Sequence, residues 1–91
     1  GLRDDSALPH LHKNLGDCHY RAGQYDRALE AYERAARLAP GQGHDVWFKM
    51  GNIRYRKHER EAALECWEKA LELDPENALI RTNLDLVRTV M

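Results

Sequence analysis

Among the side chains of this 91-residue sequence, five histidines and two cysteines are the best suited to chemistry, and their spacing decides what they can do. His10, His12, Cys18 and His19 fall within ten residues. On a helix, however, the His10/His12 and Cys18/His19 pairs point to different faces. There is no His-x3-His or Cys-x2-Cys pair, and Cys66 lies far along the chain. Tetrahedral metal sites need ligands that converge, so no metal and no cofactor are expected. Cys18 is expected to fill a small core slot as an apolar residue. No phosphate-cradling glycine loop, nucleophile elbow or His-Glu-x-x-His sequence occurs. Glu59, Glu61, Glu65 and Glu68 are spaced to pair with Lys57, Arg60 and Lys69 on a helix surface rather than to share a proton. The chain is therefore not expected to be an enzyme.

One basic cluster, Arg54-Tyr55-Arg56-Lys57-His58-Glu59-Arg60, has the composition to touch RNA phosphate and stack a base. Its bland alternative is a solvated helix end whose cations favour the C-terminal dipole. With a formal net charge of −1 there is no bulk field to draw nucleic acid, and the bland alternative is preferred. No apolar run approaches the ~18 residues of a membrane span. Two cysteines are too few for a disulfide framework, which places the expected location in the reducing cytoplasm. The chain begins Gly1-Leu2-Arg3 rather than with Met, and a piece of a longer protein is expected.

The elements that must position these residues are helices. Ala, Leu, Glu, Lys and Arg supply 45 of the 91 residues, whereas Val, Ile and Thr supply seven. That balance favours an all-α chain and leaves too little to build a sheet. Shifting the sequence by 35 places Gly16 on Gly51, Tyr20-Arg21 on Tyr55-Arg56, and Ala28-Leu29-Glu30 on Ala63-Leu64-Glu65. It also matches Glu33, Ala35, Leu38 and Pro40 with Glu68, Ala70, Leu73 and Pro75. Ten identities in one register are a duplication.

Each copy reads helix–turn–helix. Ser6 suits an N-cap, with Pro9 tolerated in the first turn. Leu8, Leu11, Leu15 and Cys18 follow at helical spacing, and Gly23 supplies the stop. A second helix is predicted over Tyr25 to Leu38, ended by Pro40, Gly41 and Gly43. The pattern restarts at Val46, Trp47, Met50 and Ile53 and again at Ala63, Leu64, Trp67 and Ala70. A fifth helix is predicted from about Glu76 to Val90, with its boundary at Asp74-Pro75. In each antiparallel pair Gly16 would face Ala28 and Gly51 would face Ala63, leaving Tyr32 and Trp67 to pack toward the next unit. Helices this short cannot bury their apolar faces as an isolated pair, so the expected architecture is a short α-solenoid of stacked pairs.

The 34-residue unit, with Leu15-Gly16, Tyr20, Gly23, Tyr25, Ala28, Tyr32, Ala35 and Pro40 in the first copy, resembles the tetratricopeptide repeat. The second copy carries Trp47, Met50, Gly51, Ala63, Trp67, Ala70 and Pro75, with Gly43 as a one-residue insertion. The resemblance divides the chain into a flank at 1–8, repeats at 9–42 and 44–77, and a capping or partial-repeat helix at 78–91. Departures from the pattern are His12 at the opening Trp position, His19 and Arg54 before the two tyrosines, and His58 at the second turn glycine. His58 would have to adopt a left-handed conformation there.

This resemblance implies a protein–protein interaction module whose first helices line a concave groove for a peptide or protein segment. The corresponding residues here are Lys13, Asp17, Tyr20 and Arg21, then Phe48, Asn52, Tyr55 and Arg56. Tyr and Arg offer rigid apolar area and planar hydrogen-bonding forks. Some members of the family clamp the C-terminal carboxylate of a chaperone tail. The matching positions here are Lys13, Asp17, Lys49, Leu79 and Asn83, of which only Lys13 fits. A chaperone tail is not the expected partner, because Asp17 repels a carboxylate and the last two positions lack a cation. On the final helix Leu79, Leu86 and Val90 form a second apolar stripe beside Ile80, Leu84, Val87 and Met91. Such a stripe fits self-association, a further repeat or an apolar end to the groove, and these remain open.

Overall fold

The computed structural model describes residues 8–39, 41 and 43–89. The expected cap Ser6, the closing Pro40, and the terminal Val90 and Met91 lie outside the described residues. Five helices follow in order, α1 (Leu8–Arg21), α2 (Tyr25–Leu38), α3 (His44–Arg56), α4 (Arg60–Leu73) and α5 (Ala78–Thr89). There is no strand among the described residues. The chain divides into two compact units, Gly1–Gln42 and Gly43–Met91.

In the first unit a three-residue turn folds α2 back onto α1. Gly23 sits at φ +78°, its N–H donating to Tyr20 O at 3.1 Å while Gln24 N–H donates to His19 O at 2.8 Å. This pair of bonds is the left-handed helix stop that favours glycine. The second unit repeats it without the glycine. His58 sits at φ 65°, its N–H donating to Tyr55 O at 3.0 Å, and Glu59 N–H donates to Arg54 O at 2.9 Å. The side chain of His58 is exposed, so nothing but its own backbone resists the conformation.

Packing within each hairpin is set by a ring laid on a glycine. A Cβ on Gly16 would stand 2.6 Å from two carbons of the Tyr32 ring, and one on Gly51 would stand 2.3 Å from Trp67 Nε1. The nearest atoms to each glycine belong to the ring four residues beyond the alanine that the register suggested, Tyr32 after Ala28 and Trp67 after Ala63. Both rings fill the interior of their own hairpin, and Trp67 also joins Ile80, Leu84 and Val87 of the following helix in one cluster. Tyr32 and Trp67 are 0% and 2% exposed. Trp67 Nε1 donates to Phe48 O at 3.0 Å, a contact that needs the indole edge against the α3 backbone. Ala28, Leu29, Ala31, Ala35 and Ala36 complete the buried face of α2, while Leu38 at its end is half exposed.

In the second unit α5 packs on α4. Ile80, Leu84 and Val87 join Ala63, Trp67 and Ala70 in one cluster, flanked by Trp47, Phe48, Leu64 and Leu71. Asp74 caps the end of α4, its N–H donating to Ala70 O at 3.0 Å. The start of α5 is set by Asn77 instead. Its Oδ1 accepts from Ile80 N–H at 3.1 Å, and its Nδ2 donates to Asp74 Oδ2 at 3.0 Å. The helix thus begins two residues later than Glu76, where a side-chain cap is available. At the other end Arg60 Nη2 donates to Val87 O at 2.9 Å, satisfying a carbonyl in the last turn, and Arg88 pairs with Glu68.

Gly51→Ala should test the ring-on-glycine contact. Alanine is the better helix former by about 0.8–1 kcal/mol, but overpacking a buried ring costs about 1–3 kcal/mol and the Trp67–Phe48 bond is worth about 1 kcal/mol. A net loss of stability is expected in urea unfolding, against the gain that propensity alone would give.

Candidate functional site

The residues singled out for recognition occupy the same positions on the first helix of each unit, Lys13, Asp17, Tyr20 and Arg21 on α1 and Phe48, Asn52, Tyr55 and Arg56 on α3. None of the eight is buried; Arg21, Tyr55 and Arg56 are exposed and the other five partly so. The three- and four-residue steps keep each set on one side of its helix.

Several of them are tied to their own hairpin. In the first unit the Tyr32 hydroxyl donates to Asp17 Oδ1 at 2.5 Å. The ring that fills the Gly16 notch therefore also holds the carboxylate beside it. Tyr20 packs edge-on against Tyr25 in the turn, centroids 5.7 Å apart at 71°. In the second unit Tyr55 lies 5.8 Å from Trp67 at 40°. Both tyrosines are thus braced platforms with one face against the second helix, and Tyr55 keeps 47% of its surface open. Phe48 leans on the core cluster.

Two positions were not legible as part of this arrangement. Tyr32 reads as a packing residue, yet its hydroxyl orients Asp17. The signal was the pairing of types. The unit with a phenol at the notch carries Asp17 after its glycine, and the unit with an indole carries Asn52. An indole N–H finds a backbone carbonyl instead. The second is the shared position of His12 and Trp47, whose Nδ1 and Nε1 are each buried without a hydrogen-bond partner.

Other expectations change. Cys18 is exposed rather than buried, as are Leu11 and Leu15 at 53% and 44%. The stripe they form therefore lacks the cover that its apolar character called for. In the basic cluster Arg54 pairs with Glu59 at 2.8 Å and Arg60 is bonded to the end of α5, so two of its cations serve the fold. Leu79 and Leu86 are exposed at 60% and 57%, and Val90 lies outside the described residues. Among the described residues no three His, Cys, Asp or Glu side chains group to hold a metal, and no helix is long and apolar enough to cross a membrane.

Two hairpins of one build, each with a glycine notch, a ring seated in it and a left-handed helix stop, define a tandem helical-repeat protein. The family model of the tetratricopeptide repeat matches residues 9–42 and 44–77. The chain belongs to that family, whose repeats generally mediate protein–protein interaction. Of solved structures, the crystal structure of MamA is similar over 92% of this chain with TM-score 0.84 and 21% identity. That likeness is one of fold. The chain spans about half, 48%, of the MamA chain. No curated protein matches it.

A double-mutant cycle between Tyr32→Phe and Asp17→Ala should show coupling of about 1 kcal/mol or more, read from urea unfolding, since a hydrogen bond to a charged group is worth about 1.5–3 kcal/mol. Additive losses would mean that the hydroxyl does not hold the carboxylate.

Proposed function

We propose that the chain is an interaction module that holds a peptide or protein segment along the first helices of its repeats, in the concave groove that family membership implies. The observation that carries this reading is the recurrence of one partly exposed set at equal positions, Lys13, Asp17, Tyr20 and Arg21 and then Phe48, Asn52, Tyr55 and Arg56. Tyr20, Phe48 and Tyr55 supply apolar platforms that lose little freedom on binding, because each is already braced. Asn52 suits a peptide backbone, whose N–H and C=O it can pair at once. Lys13, Arg21 and Arg56 select carboxylates, and Asp17 selects a cation. The mixture favours a segment of mixed charge over a purely acidic one, in keeping with the balanced composition.

The second helix of each repeat contributes packing and the first contributes contact. The fifth helix acts as a cap in this reading. Asp85 stands in the register of Gly16 and Gly51, so α5 has no notch in which a further ring could seat. The two free cysteines suit a reducing compartment such as the cytoplasm.

Selection from a random peptide library on the immobilised chain, followed by calorimetry, tests the proposal. Arg21→Ala, Asn52→Ala and Arg56→Ala should each weaken the selected peptides, and the triple variant should do so at least tenfold, about 1.4 kcal/mol, with thermal unfolding unchanged. Peptides indifferent to all three, or a selection that yields none, would contradict it.

A further inference from the structure

The apolar stripe of the first helix occurs three times in the sequence, as Leu11/Leu15/Cys18 in α1, Val46/Met50/Ile53 in α3 and Ile80/Leu84/Val87 in α5. In α3 and α5 all six residues are buried. For α5 the cover is plain, since α4 lays Ala63, Trp67 and Ala70 against it. The α1 copy alone is open, and Asn14 and Ala22, exposed beside it, extend it without a charge. What the α5 copy of this position receives is the uncharged face of another helix.

Among the described residues there is one such face that lies exposed. On α5 the exposed residues Leu79, Thr82, Leu86 and Thr89 lie on one side of the helix. Thr82 Oγ1 donates to Ala78 O at 2.8 Å, and Thr89 Oγ1 to Asp85 O at 2.9 Å. Both hydroxyls are spent on their own helix, which leaves methyl groups beside the two leucines. The exposed faces of the other helices are charged, with Glu30, Arg34 and Arg37 on α2, Glu61 and Glu65 on α4, and Arg56 on α3.

We propose that α1 of one copy of the chain receives α5 of a second copy, with Leu11, Leu15 and Cys18 against Leu79 and Leu86. Leu11 to Cys18 and Leu79 to Leu86 are both seven-residue steps, about 10.5 Å of helix, so the two stripes match in length. The occupant is a second copy because this chain holds both uncharged faces, and one contact covers both. The faces differ, so the contact is heterologous and joins copies into a closed ring or an open chain. A single helix-on-helix seam falls short of the roughly 1,200 Å² of stable complexes, so association is weak and rises with concentration. The proposal does not rest on the groove reading.

Sedimentation velocity from about 1 μM to about 1 mM tests it. The weight-average mass of the chain should rise with concentration from that of the monomer to that of the dimer or beyond. Leu15→Asp and Leu86→Asp should each stay monomeric alone, with helicity and melting unchanged because both side chains are about half exposed; Leu11→Asp replaces the first if it fails to fold. An equimolar mixture of Leu15→Asp and Leu86→Asp should form a dimer and nothing larger, since each retains the face that the other has lost. A chain monomeric throughout, a Leu15→Asp variant that still associates, or a mixture that stays monomeric would each overturn the proposal.

Discussion

Each repeat depends on a large ring seated against a glycine of the facing helix. Two helices of 13 or 14 residues cannot bury enough surface to be stable unless their axes come close. Any side chain at position 16 or 51 would keep them apart. Glycine is a poor helix former, and its cost of about 1 kcal/mol relative to alanine is offset by burying Tyr32 or Trp67 almost completely. The ring then reaches past the glycine with its polar atom. Tyr32 binds the side chain of Asp17, and Trp67 binds the backbone at Phe48. The closest contact in each hairpin is thus joined to residues on the first helix, Asp17 and Phe48.

That coupling accounts for how the candidate site is built. Its tyrosines are braced by Tyr25 and Trp67, and its one carboxylate is aimed by Tyr32. A surface ordered in this way gives up little side-chain freedom when it meets a partner. The second helices hold the candidate residues of the first helices from beneath.

Much of the fold was legible in residue order. Gly23 marks the boundary between α1 and α2, and the bounds Tyr25–Leu38 follow from it and the Pro-Gly break beyond. His58 was expected to turn left-handed, and it does, because the helix stop needs the conformation more than it needs the glycine. The start of α5 was misplaced because Asp74-Pro75 and Asn77 both offer a boundary, and the decisive hydrogen bond to Ile80 N–H is a matter of geometry. Burial was less legible. Periodicity identifies an apolar stripe on α1 as readily as on α3 or α5, but whether anything covers it depends on a neighbouring helix, and Leu11, Leu15 and Cys18 are exposed where their counterparts are not. The ring seated at each glycine was not legible from the small residues alone.

The most direct test of the ring-on-glycine account is the hydrogen exchange of the Trp67 indole N–H, followed by NMR. If the indole is locked on the α3 backbone through Phe48 O, this proton exchanges only when the second unit unfolds, at the rate of the slowest α3 amides around Gly51. An indole proton that exchanges orders of magnitude faster while those amides stay protected would contradict the account.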